Sequence, residues 1–97
     1  MGAAGAAGAL TATPKWDTKI ASLEKQGGAK AALAAAYAER GYARMMDDAA
    51  SPRVKYRMAL RDFRRALALD PANQKAKKNK VLIEDIYKSM GRPIPAE

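Results

Sequence analysis

The sequence predicts an all-α protein in which about four helices stack as antiparallel hairpins. Ala59, Phe63 and Ala66 recur at helical spacing and give one helix a stripe of small and bulky apolar side chains. Ser51-Pro52 and Asp70-Pro71 bracket that helix, because proline suits a first helical turn and disfavours helix in the residue before it. The chain has no cysteine, and much of its apolar content is alanine. Close approach through small residues must therefore hold the helices together.

The first helix is predicted over about residues 14–26. Thr13 can cap this helix, and Pro14 suits its first turn. Gly27 and Gly28 end it, because glycine readily adopts the left-handed conformation that closes helices. The apolar stripe of this helix consists of Trp16, Ile20 and Leu23.

The second helix is predicted over about residues 29–49. Its alanine-rich first half has high helix propensity. The apolar spacing continues past Gly41 through Met45 and Met46, and no helix breaker follows until Ser51-Pro52. We therefore expect this helix to be long and to continue through its glycine.

The third and fourth helices are predicted over about residues 52–70 and 74–90. A turn at residues 70–73 separates them, because Pro71 disfavours helix at the residue before it. Gly91 can close the fourth helix, and Pro93 prevents its continuation. The second half of the fourth helix carries its larger apolar side chains, Leu82, Ile83, Ile86, Tyr87 and Met90.

Residues 14–91 are predicted to form one helical domain. Residues 1–13, rich in alanine and glycine, are expected to be a flexible leader, and residues 92–97 a C-terminal tail. The leader lacks the basic start and bulky apolar core of a secretory signal, although a trimmed export segment or a leftover of cloning explains the same composition. No apolar run approaches the roughly 20 residues that span a bilayer. We favour a cytoplasmic location, with export as the alternative.

The composition argues against catalysis and against metal or cofactor binding. Without cysteine or histidine, the chain has no thiol nucleophile, no zinc site of the Cys/His type and no histidine acid–base chemistry. Asp47-Asp48 and Glu84-Asp85 are paired carboxylates, but adjacent residues on a helix point to different faces. We therefore expect no enzyme activity, no catalytic residue, no metal site and no cofactor.

The net charge of +8 is concentrated in one segment. Residues 53–80 hold ten basic side chains against the two acids Asp62 and Asp70. This pattern favours a solvated outer helix face, then a surface that faces an acidic partner, and lastly a nucleic-acid contact. The candidate basic surface consists of Arg57, Arg61, Arg64, Arg65, Lys75 and Lys77.

The apolar pattern resembles the tetratricopeptide repeat (TPR), in which two antiparallel helices cross through small residues. Leu33, Ala34, Tyr37 and Gly41 match its first helix, and Ala59, Phe63, Ala66 and Pro71 match its second. Tyr87 and Gly91 resemble the first-helix pattern of a following repeat. Ile20 and Leu23 resemble the end of the second helix of a preceding repeat. The resemblance implies one complete repeat between two half repeats, in a right-handed helical stack.

The resemblance departs from the repeat between Gly41 and Ala59. These residues are 18 positions apart, about 13 more than the repeat's pattern. Shared between two antiparallel helices, the surplus predicts a lengthened helical arm. The residues of this arm are Tyr42, Met45, Met46, Val54 and Tyr56.

The resemblance implies a non-enzymatic scaffold that binds a peptide or protein partner. The basic segment favours a partner that is acidic. First helices line the groove of such repeats, which gives the candidate residues Ala31, Ala35, Ala38, Glu39, Lys78, Val81, Asp85 and Lys88. The lysine and asparagine that grip a peptide carboxylate in part of the family are replaced by Ala31 and Ala35. A compact monomer is favoured over a homodimer. The alternative function is nucleic-acid or anionic-surface binding through residues 53–80.

Overall fold

A computed structural model describes residues 12–96. Within that range the chain forms four α-helices and no strand: α1 (Pro14–Gln26), α2 (Lys30–Met45), α3 (Pro52–Leu69) and α4 (Gln74–Ser89). The predicted all-α stack of four helices is confirmed. The leader predicted over residues 1–13 lies almost entirely outside the described residues.

The helix ends follow from local chemistry. Gly27 and Gly91 adopt φ +66°, the left-handed conformation that closes α1 and follows α4. The Ser51 hydroxyl accepts from the Val54 amide at 3.4 Å at the start of α3. The Asn73 side chain accepts from the Ala76 amide at 2.9 Å and caps α4, a role that the sequence analysis did not assign.

The second helix is shorter than predicted, because it ends at Met45 rather than near Ala49. The Asp47 carboxylate accepts from the Ala49 amide at 2.9 Å, so a side-chain turn replaces the next helical hydrogen bonds. Lys55 Nζ then donates to the Asp47 carbonyl at 3.1 Å and joins the turn to α3. The lengthened arm is therefore helical only in part, and Met46 lies in the connection between α2 and α3.

Consecutive helices are antiparallel. The α1–α2 pairing is set by Asp17 with Arg40 and by Glu24 with Tyr37. Across α2 and α3, Gly41 lies against Phe63, and a Cβ at this glycine would be 2.8 Å from the Phe63 ring. The helices α2 and α3 therefore approach each other closely at Gly41, where α2 has no side chain.

The fourth helix packs against both α3 and α2. Glu39 on α2 binds Lys75 on α4 at 2.9 Å, which places the start of α4 beside the middle of α2. At the other end, Ile94 of the predicted tail packs against the core, and Arg64 donates to the Pro95 carbonyl at 2.7 Å. Part of the tail is thus held against α3.

The core is built mainly from alanine and a few large side chains. Phe63, Leu60 and Ile83 are completely buried, as expected for a stack held by close helix approach. Ile20 is the one residue of α1 that is buried. The other buried apolar residues include Ala34, Ala38, Met45, Ala59, Ala66, Ala76 and Tyr87. No helix in the described part of the chain is both long and apolar enough to cross a membrane.

Candidate functional site

An open groove lies between the end of α2 and the first half of α4, and we call it the α2–α4 groove. Its volume is about 770 Å³. Met45 and Asn79 are buried and form its floor, while Met46 and Leu82 are about half exposed. The lining residues are Tyr42, Met45, Met46, Gln74, Lys75, Lys78, Asn79 and Leu82.

The α2–α4 groove combines apolar walls with a basic rim. Lys75 Nζ lies 4.5 Å from the centre of the Tyr42 ring and also binds Glu39, so its position is fixed from both sides. Asn79 donates to the Lys75 carbonyl at 2.8 Å, which satisfies its buried amide within α4. Lys78 is exposed and lines the groove without an ion-pair partner among the described residues. Such a surface suits a ligand that is apolar on one side and acidic on the other.

The groove residues predicted from the sequence are dispersed. Lys78 is the one that lines the α2–α4 groove. Ala38 is buried in the core with 1% of its surface exposed, so its assignment to an open groove is corrected. Ala35 and Glu39 line a different cavity of about 360 Å³, formed by α1 and α2 beside Trp16.

The remaining predicted groove residues are exposed elsewhere on the helices. Ala31 lies at the start of α2, and Val81, Asp85 and Lys88 lie along α4 outside the groove lining. The Glu39–Lys75 pair joins the middle of α2 to the start of α4, and Lys75 also lines the α2–α4 groove.

A second feature is a cleft between α2 and α3, which we call the arginine cleft. Its volume is about 330 Å³. Asp62 is buried at its centre with 3% exposure. The lining residues are Tyr37, Arg40 and Arg44 of α2 and Met58, Arg61, Asp62 and Arg65 of α3.

Asp62 binds two arginines of α2 at once. Its carboxylate accepts from Arg40 Nε at 3.1 Å and from Arg40 Nη2 at 2.9 Å. It also accepts from Arg44 Nη1 at 2.9 Å. Arg40 Nη1 continues to Asp17 of α1 at 2.9 Å, so this network links three helices.

The titration of this cluster follows from its burial and charge. Hydrogen bonding to Asp62 raises the pKa of Arg40 above its ordinary value. Burial lowers the pKa of Arg44, and the nearby charge of Arg40 lowers it further. Both side chains remain protonated at neutral pH, because guanidinium groups are not deprotonated in proteins. Burial, followed by the hydrogen bond to Glu24, raises the pKa of the Tyr37 hydroxyl.

The predicted basic surface is divided between several roles. Arg57, Arg61, Arg65 and Lys77 are exposed. Arg64 instead holds the tail through Pro95, and Lys75 is paired with Glu39. The sequence analysis missed Arg40 and Arg44, which lie before residue 53. Their spacing of four residues on α2, matching that of Arg61 and Arg65 on α3, was the available signal.

The described residues form a small helical-hairpin stack whose cavities include the α2–α4 groove and the arginine cleft. In the described range, no three residues of the types His, Cys, Asp and Glu converge as a metal-binding group. Comparisons with family models, with curated proteins and with solved structures gave no match. Arguments about function therefore depend on the two surfaces themselves.

Proposed function

We propose that this protein is a non-enzymatic interaction module that binds an acidic, amphipathic peptide segment in the α2–α4 groove. The observation that carries the proposal is a groove of mixed polarity in which the exposed Met46 and Leu82 lie beside Lys78. Apolar surface that is contiguous and rimmed by polar groups is typical of protein-binding sites. We extend the proposal to a TPR-like scaffold, as the sequence pattern implies.

The acidic character of the partner is argued from charge complementarity. The chain has a net charge of +8, which attracts acidic segments and accelerates their encounter. Lys78 offers a charge at the groove that no described acid neutralises. A helix whose apolar face covers Met46 and Leu82 would place its acidic side chains near that lysine.

The proposal is tested by peptide selection against the intact protein. Two display libraries share the same apolar positions, and one carries acidic and the other basic residues on the polar face. We expect enrichment from the acidic library. Fluorescence anisotropy then measures the Kd of a selected peptide, with circular dichroism confirming that each variant is folded.

Two exposed methionines provide a matched comparison. Met46 lines the groove and is 56% exposed, whereas Met90 is 48% exposed and lies outside it. Met46→Gln removes apolar contact worth about 1 kcal/mol and should weaken the Kd roughly fivefold. Met90→Gln should leave the Kd unchanged. Equal losses in the two variants, or selection from the basic library alone, would contradict the proposal.

Salt dependence separates this function from nucleic-acid or anionic-surface binding. Binding in the α2–α4 groove combines apolar contact with one unpaired lysine, so we expect its affinity to fall only modestly as salt rises. Binding dominated by duplex phosphates loses about 0.9 log units of affinity per log unit of salt for each phosphate neutralised. A steep slope that is reduced by Arg57→Gln would favour the exposed arginines of α3 as the main contact.

A further inference from the structure

The arginine cleft holds more positive charge than its acids neutralise. Four guanidinium groups line it, against the single carboxylate of Asp62. Asp17 lies outside the lining and neutralises one further charge through Arg40. The other two guanidinium groups have no carboxylate partner, and they line one space of about 330 Å³. Glu24 adds a further acid beside the cleft, where it accepts from the Tyr37 hydroxyl.

The surplus charge is on the α3 side of the cleft. Arg61 and Arg65 form no salt bridge with residues 12–96. Both are exposed and stand one helical turn apart, so their head groups reach the same opening. On the opposite wall, Arg44 Nε is buried and has no acceptor in the described part of the chain. The cleft thus has more donors than acceptors.

Contacts within the protein hold the wall of the cleft in place. Arg40 donates hydrogen bonds to both Asp62 and Asp17, and these bonds hold its guanidinium group in place. The Tyr37 ring lies against two guanidinium groups, 5.4 Å from that of Arg40 and 5.8 Å from that of Arg65. The Tyr37 hydroxyl donates to Glu24 at 2.9 Å, which fixes the ring. A site ordered in advance loses less entropy when it binds its ligand.

We propose that the arginine cleft binds a phosphate-type dianion, as a phosphomonoester group or as free phosphate. Arg61 and Arg65 would hold the anion from α3, and Arg44 would face it from α2. Guanidinium groups match phosphate oxygens with paired, charge-assisted hydrogen bonds. The volume is at the lower end of small-molecule sites, which are about 300–1,000 Å³, and suits a phosphoryl group with a short attached fragment.

Asp62 does not prevent anion binding at this site. Its carboxylate is buried and already accepts three hydrogen bonds from Arg40 and Arg44. Two guanidinium groups of α2 therefore compensate its charge, and Arg61 and Arg65 do not pair with it. The arginine cleft shares no lining residue with the α2–α4 groove, so this activity is additional to peptide binding.

The test is a nuclear magnetic resonance titration of the intact protein with inorganic phosphate at constant ionic strength, with chloride as the balancing anion. We expect saturable shifts of the Tyr37 and arginine side-chain signals. Arg61→Gln and Arg65→Gln should each raise the Kd about tenfold, as expected for loss of a charge-assisted contact. The matched control is Arg57→Gln, which removes the same charge from an exposed site on α3 outside the cleft. It should change the Kd less than twofold.

A second series identifies the source of the phosphoryl group and its charge state. A phosphoserine peptide that binds more tightly than phosphate and shows the same Arg61→Gln loss supports a phosphomonoester ligand. The reverse order of affinities supports free phosphate. Because phosphoserine has a second pKa of about 6, the affinity of the phosphopeptide should fall as the pH is lowered through that value.

Three results would overturn the proposal. One is a phosphate titration without saturable shifts, and another is an equal loss of affinity in Arg57→Gln. The third is duplex DNA that binds with a steep salt slope and responds equally to all three substitutions. Such behaviour would indicate a general field of positive charge rather than a defined site.

Discussion

The contact between Gly41 and Phe63 gives the sharpest test of how the helices pack. In Gly41→Ala, the new Cβ would lie 2.8 Å from Cε1 and 3.0 Å from Cδ1 of the Phe63 ring. Carbon atoms prefer about 3.5–4.0 Å, so the ring must retreat by roughly 0.7 Å or more. Phe63 is completely buried, which leaves no direction in which it can move freely.

Two opposing effects set the expected magnitude. Overpacking of a dense core costs about 1–3 kcal/mol. Replacing a mid-helix glycine by alanine gains about 1 kcal/mol of helix propensity. We therefore expect a net loss of about 0–2 kcal/mol in the free energy of unfolding, or a fall in Tm of up to roughly 16 °C for a domain of this size.

Urea denaturation followed by circular dichroism measures this change. The exposed Ala35 of α2 supplies the control, because Ala35→Gly reports the propensity effect without a packing contact. Combining Gly41→Ala with Phe63→Leu should cost less than the sum of the single changes, since the smaller side chain leaves room for the new methyl group. A Gly41→Ala protein that gains the full propensity effect of about 1 kcal/mol over the wild type would refute the close contact.

The arginine cleft yields two further expectations. Asp62→Asn removes the carboxylate charge shared by two largely buried arginines. In urea denaturation this change should lower the free energy of unfolding by about 2–4 kcal/mol. The control Asp85→Asn changes an exposed carboxylate and should lower it little. Tyr37 has a raised pKa in the folded protein, so its contribution to stability is present below about pH 10 and is lost as the pH rises through the folded pKa. Tyr37→Phe should therefore make the alkaline decline in Tm shallower than in the wild type; an unchanged decline would contradict this.

Local signals in the sequence predict three of the four helices almost to the residue. Proline at the first turn and glycine after the last turn act within a few residues, and α1, α3 and α4 carry such signals. The predicted end of α2 was wrong for a physical reason. Asp47 forms a turn through its side chain, and apolar spacing alone does not reveal when such a turn competes successfully with the helix.

The surfaces were harder to predict, because they depend on which helices meet. The charge concentrated in residues 53–80 did identify Arg61 and Arg65 as exposed candidates. It did not identify Arg40 and Arg44, which the fold brings to the same cleft from another part of the chain. Likewise, Ala38 shares a helix with exposed alanines, but its face is covered in the assembled stack. Residue spacing and charge along the sequence do not show which residues of different helices become neighbours in the fold.

The slender attachment of α1 has a consequence for how the molecule opens. This helix contributes one buried side chain to the interior, and polar contacts from Asp17 and Glu24 tie it to α2. The three later helices enclose the fully covered Phe63, Leu60 and Ile83. Fluctuations that lift α1 away would therefore expose its amides to solvent exchange long before the rest of the chain loses protection. We therefore expect two levels of resistance to opening, and both proposed binding surfaces are lined by residues outside α1.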